Sequence, residues 1–99
     1  MRKSYADYGL TGRRAKELLK ECHAGKYGAQ VRSAAHTAAP QIEMYIILSI
    51  TKNLSYEGLQ RLWELREIER MACCRTDFYG HRRHALAILN NMLAGKGKV

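Results

Sequence analysis

Apolar residues recur at spacings of three and four along most of this chain, and such spacing places them on one face of a helix. One of these faces consists of Ala15, Leu18, Leu19 and Cys22. The alternation of a half-buried strand is nearly absent, because the only β-branched run is short and lies within residues 42–51. The sequence therefore predicts an all-α fold, a small bundle of about five helices.

A capping residue and the single proline divide the first half of the chain. Thr11 is suited to cap a helix over residues 12–23, because its hydroxyl can accept a hydrogen bond from the first turn. Pro40 separates a short, Ala-rich helix over residues 27–38 from an apolar helix over residues 41–52, since proline fits the first turn of a helix better than its interior. The second of these helices is expected to be the central and most buried one.

The second half is predicted to hold two more helices with a turn between them. Asn53 can end the preceding helix in a left-handed conformation, and Ser55 is suited to cap a helix over residues 55–65. Thr76 is the expected N-cap of the last helix, which is predicted to end near residue 94. One core is expected to join these helices to the preceding one, with the members Ile46, Leu59, Leu62, Phe78, Ala85 and Leu89.

Positive charge is concentrated at both ends of the chain, whose formal net charge is +8. Residues 1–39 carry eight basic and three acidic side chains, a net charge of +5. Residues 40–70 carry four basic and five acidic side chains, for −1, and residues 71–99 carry five and one, for +4. Lys and Arg release counterions from phosphates, so this distribution favours a nucleic acid partner, with solubility as the alternative explanation.

The cysteines and the apolar stretches favour a protein of a reducing cytoplasm without metal or catalytic chemistry. Three cysteines that include an adjacent pair, Cys73 and Cys74, match neither a disulfide framework nor the spacing of a zinc site. Cys22 and His23 point about 100° apart on a helix, so they cannot readily form a nucleophile and base. The most apolar stretch, residues 44–50, is too short to span a membrane. We therefore expect no enzyme, no cofactor, no metal site and no membrane partner.

The last helix has the composition of a DNA-recognition helix. Its outward face is expected to combine small and hydrogen-bonding residues, namely Gly80, Arg83, His84, Ala87 and Asn91. Small residues allow close approach to a groove floor, and Arg and Asn donate hydrogen bonds to base edges and phosphates. The predicted DNA contacts of this helix are Arg75, Thr76, Tyr79, Gly80, His81, Arg83 and His84. Arg13, Arg14, Lys16 and Lys20 of the first helix are candidates for a second patch of phosphate contacts, with plain solvation as the equal alternative.

Two segments resemble known DNA-binding modules. Residues 54–59, Leu-Ser-Tyr-Glu-Gly-Leu, resemble the first helix of the DNA-binding module of sigma factor region four. Residues 76–86, Thr-Asp-Phe-Tyr-Gly-His-Arg-Arg-His-Ala-Leu, followed by Leu89, resemble the recognition helix of sigma-like phage regulators of the ArpU and RinA kind. In those regulators an aromatic pair, a basic run and then Ala-Leu recur. The resemblance implies a carboxy-terminal helix-turn-helix.

The sequence departs from these regulators at two points. The connection over residues 65–75 is long, whereas such modules usually need only a few residues. Arg82 occupies a helical position at which sigma-type modules usually have an aliphatic core residue. We expect its charged end to reach the solvent or to pair with a carboxylate, for which the candidates are Glu64, Glu67, Glu69 and Asp77.

The length of 99 residues favours one domain over residues 1–99. Within it, residues 1–52 are interpreted as a helical support that begins with an arm or short turn over residues 1–10. Residues 53–95 are interpreted as the helix-turn-helix and residues 96–99 as a basic tail. This organisation places the predicted DNA contacts mainly in the second half of the chain.

The resemblance and the charge together predict a sequence-specific, DNA-binding transcriptional regulator of phage or mobile-element type. It is expected to bind duplex DNA and to place the last helix in the major groove. The alternative is a phage-encoded, protein-binding inhibitor, for example an anti-CRISPR-like anti-defence protein, which would use its basic helical surface to block a host nucleic-acid machine. RNA, RNA polymerase or another protein, and a second copy of the chain are left open as partners.

Overall fold

Helices account for the regular secondary structure of residues 9–95, the part of the chain that the computed structural model describes. Five α-helices and one 3-10 turn follow each other as α1 (Gly12–His23), α2 (Gly28–Ala38), the 3-10 turn (Pro40–Ile42), α3 (Glu43–Lys52), α4 (Tyr56–Glu64) and α5 (Arg75–Leu93). No strand occurs between residues 9 and 95, so the predicted all-α class is confirmed. None of these helices has both the length and the apolar composition needed to cross a membrane.

The two ends of the chain fall outside this description. The predicted arm lies over residues 1–10, and its first eight residues are not among the described ones. The predicted basic tail, residues 96–99, also lies outside the described residues. Leu10 is the first buried residue of the described part, with 3% of its surface exposed, so the core begins immediately before α1.

Local capping interactions begin two helices at the predicted positions. Thr11 Oγ1 accepts a hydrogen bond of 3.1 Å from the backbone N–H of Arg14 before α1. Ser55 Oγ accepts one of 3.0 Å from the N–H of Gly58 before α4. Asn53 adopts the left-handed conformation after α3, with φ of 57°. These three outcomes follow the sequence because each depends on residues within one helical turn.

The start of α5 differs from the prediction. The helix begins at Arg75 and its N-cap is Cys74, so Thr76 lies inside the first turn and the predicted cap is wrong. The N–H of Phe78 donates a 2.9 Å hydrogen bond to the carbonyl of Cys74, which extends the helix back past the Thr76 hydroxyl. Phe78 is completely buried, and its burial determines the phase of this turn.

Helix α5 lies at the centre of the bundle. It contacts each of the other four helices, and its most extensive contact is with α2. The buried face of α2 consists of Val31, Ala34 and Ala35, whose small side chains let the two helix backbones approach closely. Helix α3 also contacts each of the other four helices and buries Tyr45, Ile46, Ser49 and Ile50, although Met44 is 49% exposed. Helices α3 and α5 therefore share the centre of the bundle.

Five of the six residues that were predicted to form one core are confirmed as core residues. Ile46, Leu59, Phe78, Ala85 and Leu89 each have at most 1% of their surface exposed. Leu62 is only half-buried, so its assignment to the core is wrong. Helix α4 ends at Glu64, and Leu65, the next residue, is 63% exposed. The apolar pattern of α4 thus continues past the point at which the helix ends.

The long connection over residues 65–74 is packed against the preceding helices. The hydroxyl of Tyr45 donates a 2.7 Å hydrogen bond to the carbonyl of Glu69, and that of Tyr56 donates one of 3.1 Å to the carbonyl of Cys73. Met71 is buried, with 2% of its surface exposed. These contacts hold the connection on α3 and α4 and thereby determine where α5 begins.

Candidate nucleic-acid interface

The amino-terminal ends of α4 and α5 lie side by side. The backbone N–H of Tyr56 donates a 2.9 Å hydrogen bond to the hydroxyl of Tyr79. Arg75 Nε donates one of 2.6 Å to Glu57 Oε2. The Phe78 ring packs on both tyrosines, with centroid distances of 5.9 Å to Tyr56 and 5.3 Å to Tyr79. These contacts align the first turns of the two helices in spite of the long connection between them.

Arg82 makes contacts that the sequence did not predict. Its Nη1 donates a 3.0 Å hydrogen bond to the hydroxyl of Ser49, which in turn donates to the carbonyl of Leu54. The Arg82 guanidinium carbon lies 5.0 Å from the centroid of the Tyr79 ring. The expected carboxylate partner is therefore wrong: a hydroxyl and an aromatic ring take its place. Through these contacts Arg82 links α5 to the turn between α3 and α4.

The predicted outward face of α5 is mostly covered. Ala87 is 4% exposed, so the expected track of small residues cannot approach a groove floor. Five of the predicted DNA contacts in α5 are half-buried, namely Tyr79, Gly80, His81, Arg83 and His84. Every residue from Phe78 to Asn90 is buried or half-buried. The helix is covered because it lies at the centre of the bundle, packed on all four other helices.

The first turn of α5 is the part of this helix that faces solvent near the predicted contacts. Arg75, Thr76 and Asp77 are all exposed, and 63% of the Arg75 side chain is accessible. Tyr79, one turn later, is half-buried, and its hydroxyl already accepts the hydrogen bond from α4. Of the predicted contacts in α5, only Arg75 and Thr76 therefore have exposed side chains.

The ion pair beside this turn was not predicted. Glu57 is exposed, and a hydrogen bond from its own backbone N–H, followed by one from Arg75, lowers the pKa of its carboxyl group. The carboxylate is therefore charged at neutral pH. Its position in the first turn of α4 was visible in the sequence, since acidic residues favour that position. Its pairing with Arg75, eighteen residues later, depends on the tertiary fold.

Three exposed cations line the outer face of α1, and we call them the α1 stripe: Arg13, Lys16 and Lys20. Their spacing of three and four residues places them on one side of the helix. Together with Glu17 they line an open depression on the surface. None of the three has an ion pair among residues 9–95, so their charges are available to an anionic partner.

Arg14 differs from the other cations of α1 because it is bound within the protein. Its Nη1 lies 3.4 Å from Glu17 Oε1 and 3.8 Å from Glu21 Oε1. Its Nε donates a 2.9 Å hydrogen bond to Asn90 Oδ1 of α5. Arg14 thus attaches α1 to α5, and its predicted place in a phosphate-binding patch would require these contacts to break.

The α1 stripe and the first turn of α5 are well separated. Asn90, which Arg14 contacts, lies fifteen residues after Arg75 in α5. At a rise of 1.5 Å per residue this distance is about 22 Å along the helix axis. Duplex DNA rises 3.4 Å per base pair, so about six base pairs span the same length.

Cys22 is buried, Cys73 is half-buried and Cys74 is exposed. Residues 9–95 contain no group of three or more His, Cys, Asp or Glu side chains placed to hold a metal ion. Burial, with a smaller contribution from Glu21, raises the pKa of the Cys22 thiol. Burial also raises the pKa of Cys73, with smaller contributions from Asp77 and Cys74. Both thiols are therefore protonated at neutral pH.

Comparison with known proteins identifies no relative of this chain. No family model matches the chain, and neither a curated protein nor a solved structure matches it significantly. The resemblance to sigma-like phage regulators therefore stays a prediction that rests on residues 54–59 and 76–89.

Proposed function

We propose that the chain is a sequence-specific, DNA-binding regulator that presents the first turn of α5 to the major groove. The observation that carries this proposal is the alignment of the amino-terminal turns of α4 and α5. In helix-turn-helix proteins the first residues of the second helix contact base edges, while the first helix crosses the backbone. The likeness of residues 54–59 and 76–89 to phage regulators favours a role in a phage or mobile element.

Arg75 and Thr76 are the residues that we assign to base contacts. A guanidinium can donate two parallel hydrogen bonds to the major-groove edge of guanine, and a hydroxyl can donate to or accept from several bases. The half-buried His81, Arg83 and His84 lie behind this turn. We assign no base contact to these three residues. The proposed site of recognition is therefore the first turn of α5 and not the middle of the helix.

The α1 stripe is assigned to the phosphate backbone. Its three cations are exposed, lie on one face and have no carboxylate partner among residues 9–95, and Lys and Arg in such an arrangement gain affinity by releasing counterions. The charge at the first turn of α5 cannot supply this affinity, since Glu57 and Asp77 outnumber Arg75 there. In this proposal the α1 stripe provides affinity for DNA, and the first turn of α5 provides sequence specificity.

A binding titration tests the proposal. Duplexes are selected from a random pool, and their affinity is measured at several salt concentrations for the parent and for a triple variant, Arg13→Gln, Lys16→Gln and Lys20→Gln. We expect the variant to bind all duplexes more weakly and to reduce the salt slope by about two to three units, since each phosphate contact contributes about 0.9.

A matched variant controls for total charge. Lys26→Gln, Arg32→Gln and Lys52→Gln remove the same three charges from other exposed positions, and they should change the salt slope by less than the stripe variant does. Equal slopes for both variants would remove the α1 stripe from the proposal. If selection with the parent protein enriches no duplex, the proposal as a whole is overturned and the protein-binding inhibitor is favoured.

A further inference from the structure

Arg75 is held on two sides in the absence of any ligand. Its Nε donates the 2.6 Å hydrogen bond to Glu57 Oε2, and its guanidinium carbon lies 5.4 Å from the centroid of the Tyr79 ring. An arginine side chain that is 63% exposed would otherwise sample many rotamers, and fixing it on a ligand would cost conformational entropy. The fold has already reduced this freedom.

The contact with Glu57 leaves the outer end of the guanidinium available. Among residues 9–95, neither Nη atom of Arg75 donates a hydrogen bond. A guanine presents two acceptors, O6 and N7, side by side in the major groove, and the two Nη groups of an arginine can bind them in parallel. Arg75 is therefore prepared for a ligand with two adjacent acceptors.

Glu57 also acts on the phosphate backbone. Its carboxylate is charged at neutral pH and 54% exposed, and with Asp77 it gives the first turn of α5 a local net charge of −1 against Arg75. These side-chain charges oppose the approach of a phosphate, whereas they do not oppose an uncharged base edge. The same carboxylate thus orients the arginine and disfavours the sequence-independent contact.

We infer that Glu57 is a positioning residue that directs Arg75 to a guanine edge in preference to a phosphate. The inference rests on the proposed DNA-binding function. It assigns the specificity of the site to a pair of residues on two helices, with Tyr79 as the support beneath the guanidinium. A guanine is accordingly expected at one position of the selected duplex.

The test compares Glu57→Gln with Glu64→Gln, a control that removes the same charge from an exposed position on the same helix. Each variant is titrated against the selected duplex and a scrambled one. Both should bind the scrambled duplex about twofold more tightly, because one negative charge is gone. Glu57→Gln should bind the selected duplex about two- to fivefold more weakly, the range of an exposed ion pair, while the control binds it more tightly.

A third variant separates geometry from charge. Glu57→Asp keeps the carboxylate but shortens the side chain by one methylene, so it should weaken binding to the selected duplex without tightening binding to the scrambled one. If Glu57→Gln changes both duplexes by the same factor as Glu64→Gln, Glu57 is only a surface charge and the inference is wrong. A parent that binds no duplex would instead overturn the proposed function, and the inference with it.

Discussion

The first turn of α5 and the middle of the same helix have opposite surroundings. Arg75 and Thr76 are exposed, whereas the basic run over residues 81–84 is half-buried and no side chain from Phe78 to Asn90 is exposed. Both segments are rich in polar residues, so polarity alone does not separate them. Arg and His can lay their aliphatic stems and rings along protein surface, and a basic run therefore need not form a solvent-facing side.

The difference shows that neighbours, rather than composition, decide which part of a recognition-like helix is available. Helix α2 supplies small buried residues that allow close contact with α5. At the amino-terminal end, the neighbour is the first turn of α4, which supplies an ion pair and a hydrogen bond instead of cover. The following changes are expected to act differently on the two segments.

The largest effect is expected from the loss of the Phe78 ring, which lies where the exposed first turn of α5 meets the covered middle of the helix. Phe78 is completely buried and contacts both tyrosines of the candidate interface. Phe78→Ala should lower the free energy of unfolding by about 3–5 kcal/mol. Thr76→Ala, two residues earlier and exposed, should change it by less than about 0.5 kcal/mol. Chemical denaturation measures both, and similar losses would mean that the phase of α5 differs from the structure.

A smaller effect is expected from an added side chain in the covered segment. Ala87→Leu should destabilise the protein by about 1–3 kcal/mol, because the three additional carbons have no space in the contact around α5. Asn91→Leu, one turn later on the same side of the helix, is exposed and serves as the control. If thermal unfolding shows that Ala87→Leu is tolerated as well as Asn91→Leu, the middle of α5 is open enough to meet a groove.

The smallest effect is expected at Arg82, which links the covered segment of α5 to the turn between α3 and α4. Its Nε is buried and has no hydrogen-bond partner among the described residues, so the guanidinium contributes little net stability. Arg82→Met keeps the length of the side chain and should change the free energy of unfolding by less than about 1 kcal/mol. A loss of several kcal/mol in denaturant titrations would show that the contact with Ser49 is a main support of the fold.

Features that depend on residues close together in the sequence were predicted, whereas features that depend on contacts between distant residues were missed. The caps Thr11 and Ser55 and the left-handed Asn53 were predictable because their partners lie within one turn. The cap at Thr76 was not, because the connection packed on α3 and α4 places the start of α5 at Arg75, with Cys74 as its N-cap. The class of the fold could be predicted from apolar spacing, but the extensive contact between α2 and α5 could not, since the small residues of α2 do not indicate which helix they pack against.

The same distinction applies to the candidate site. Arg75 was predicted as a contact from its place at the start of a helix, and it is exposed as that prediction requires. Glu57 was missed as its partner because eighteen residues and a packed connection separate the two. Ser49 and Arg82 were missed as a pair for the same reason. Arg14 was predicted as a free cation, although Glu17 was only three residues away.

The most direct test of the central claim compares one arginine from each segment of α5. Arg75→Ala and Arg83→Ala are titrated against a selected duplex and a scrambled one, with circular dichroism as the check on folding. The account predicts that Arg75→Ala loses roughly 1–3 kcal/mol of affinity for the selected duplex and relaxes specificity at one base pair, while Arg83→Ala has a smaller and uniform effect. If Arg83→Ala abolishes specificity and Arg75→Ala binds like the parent, recognition lies in the middle of α5 and the account is contradicted.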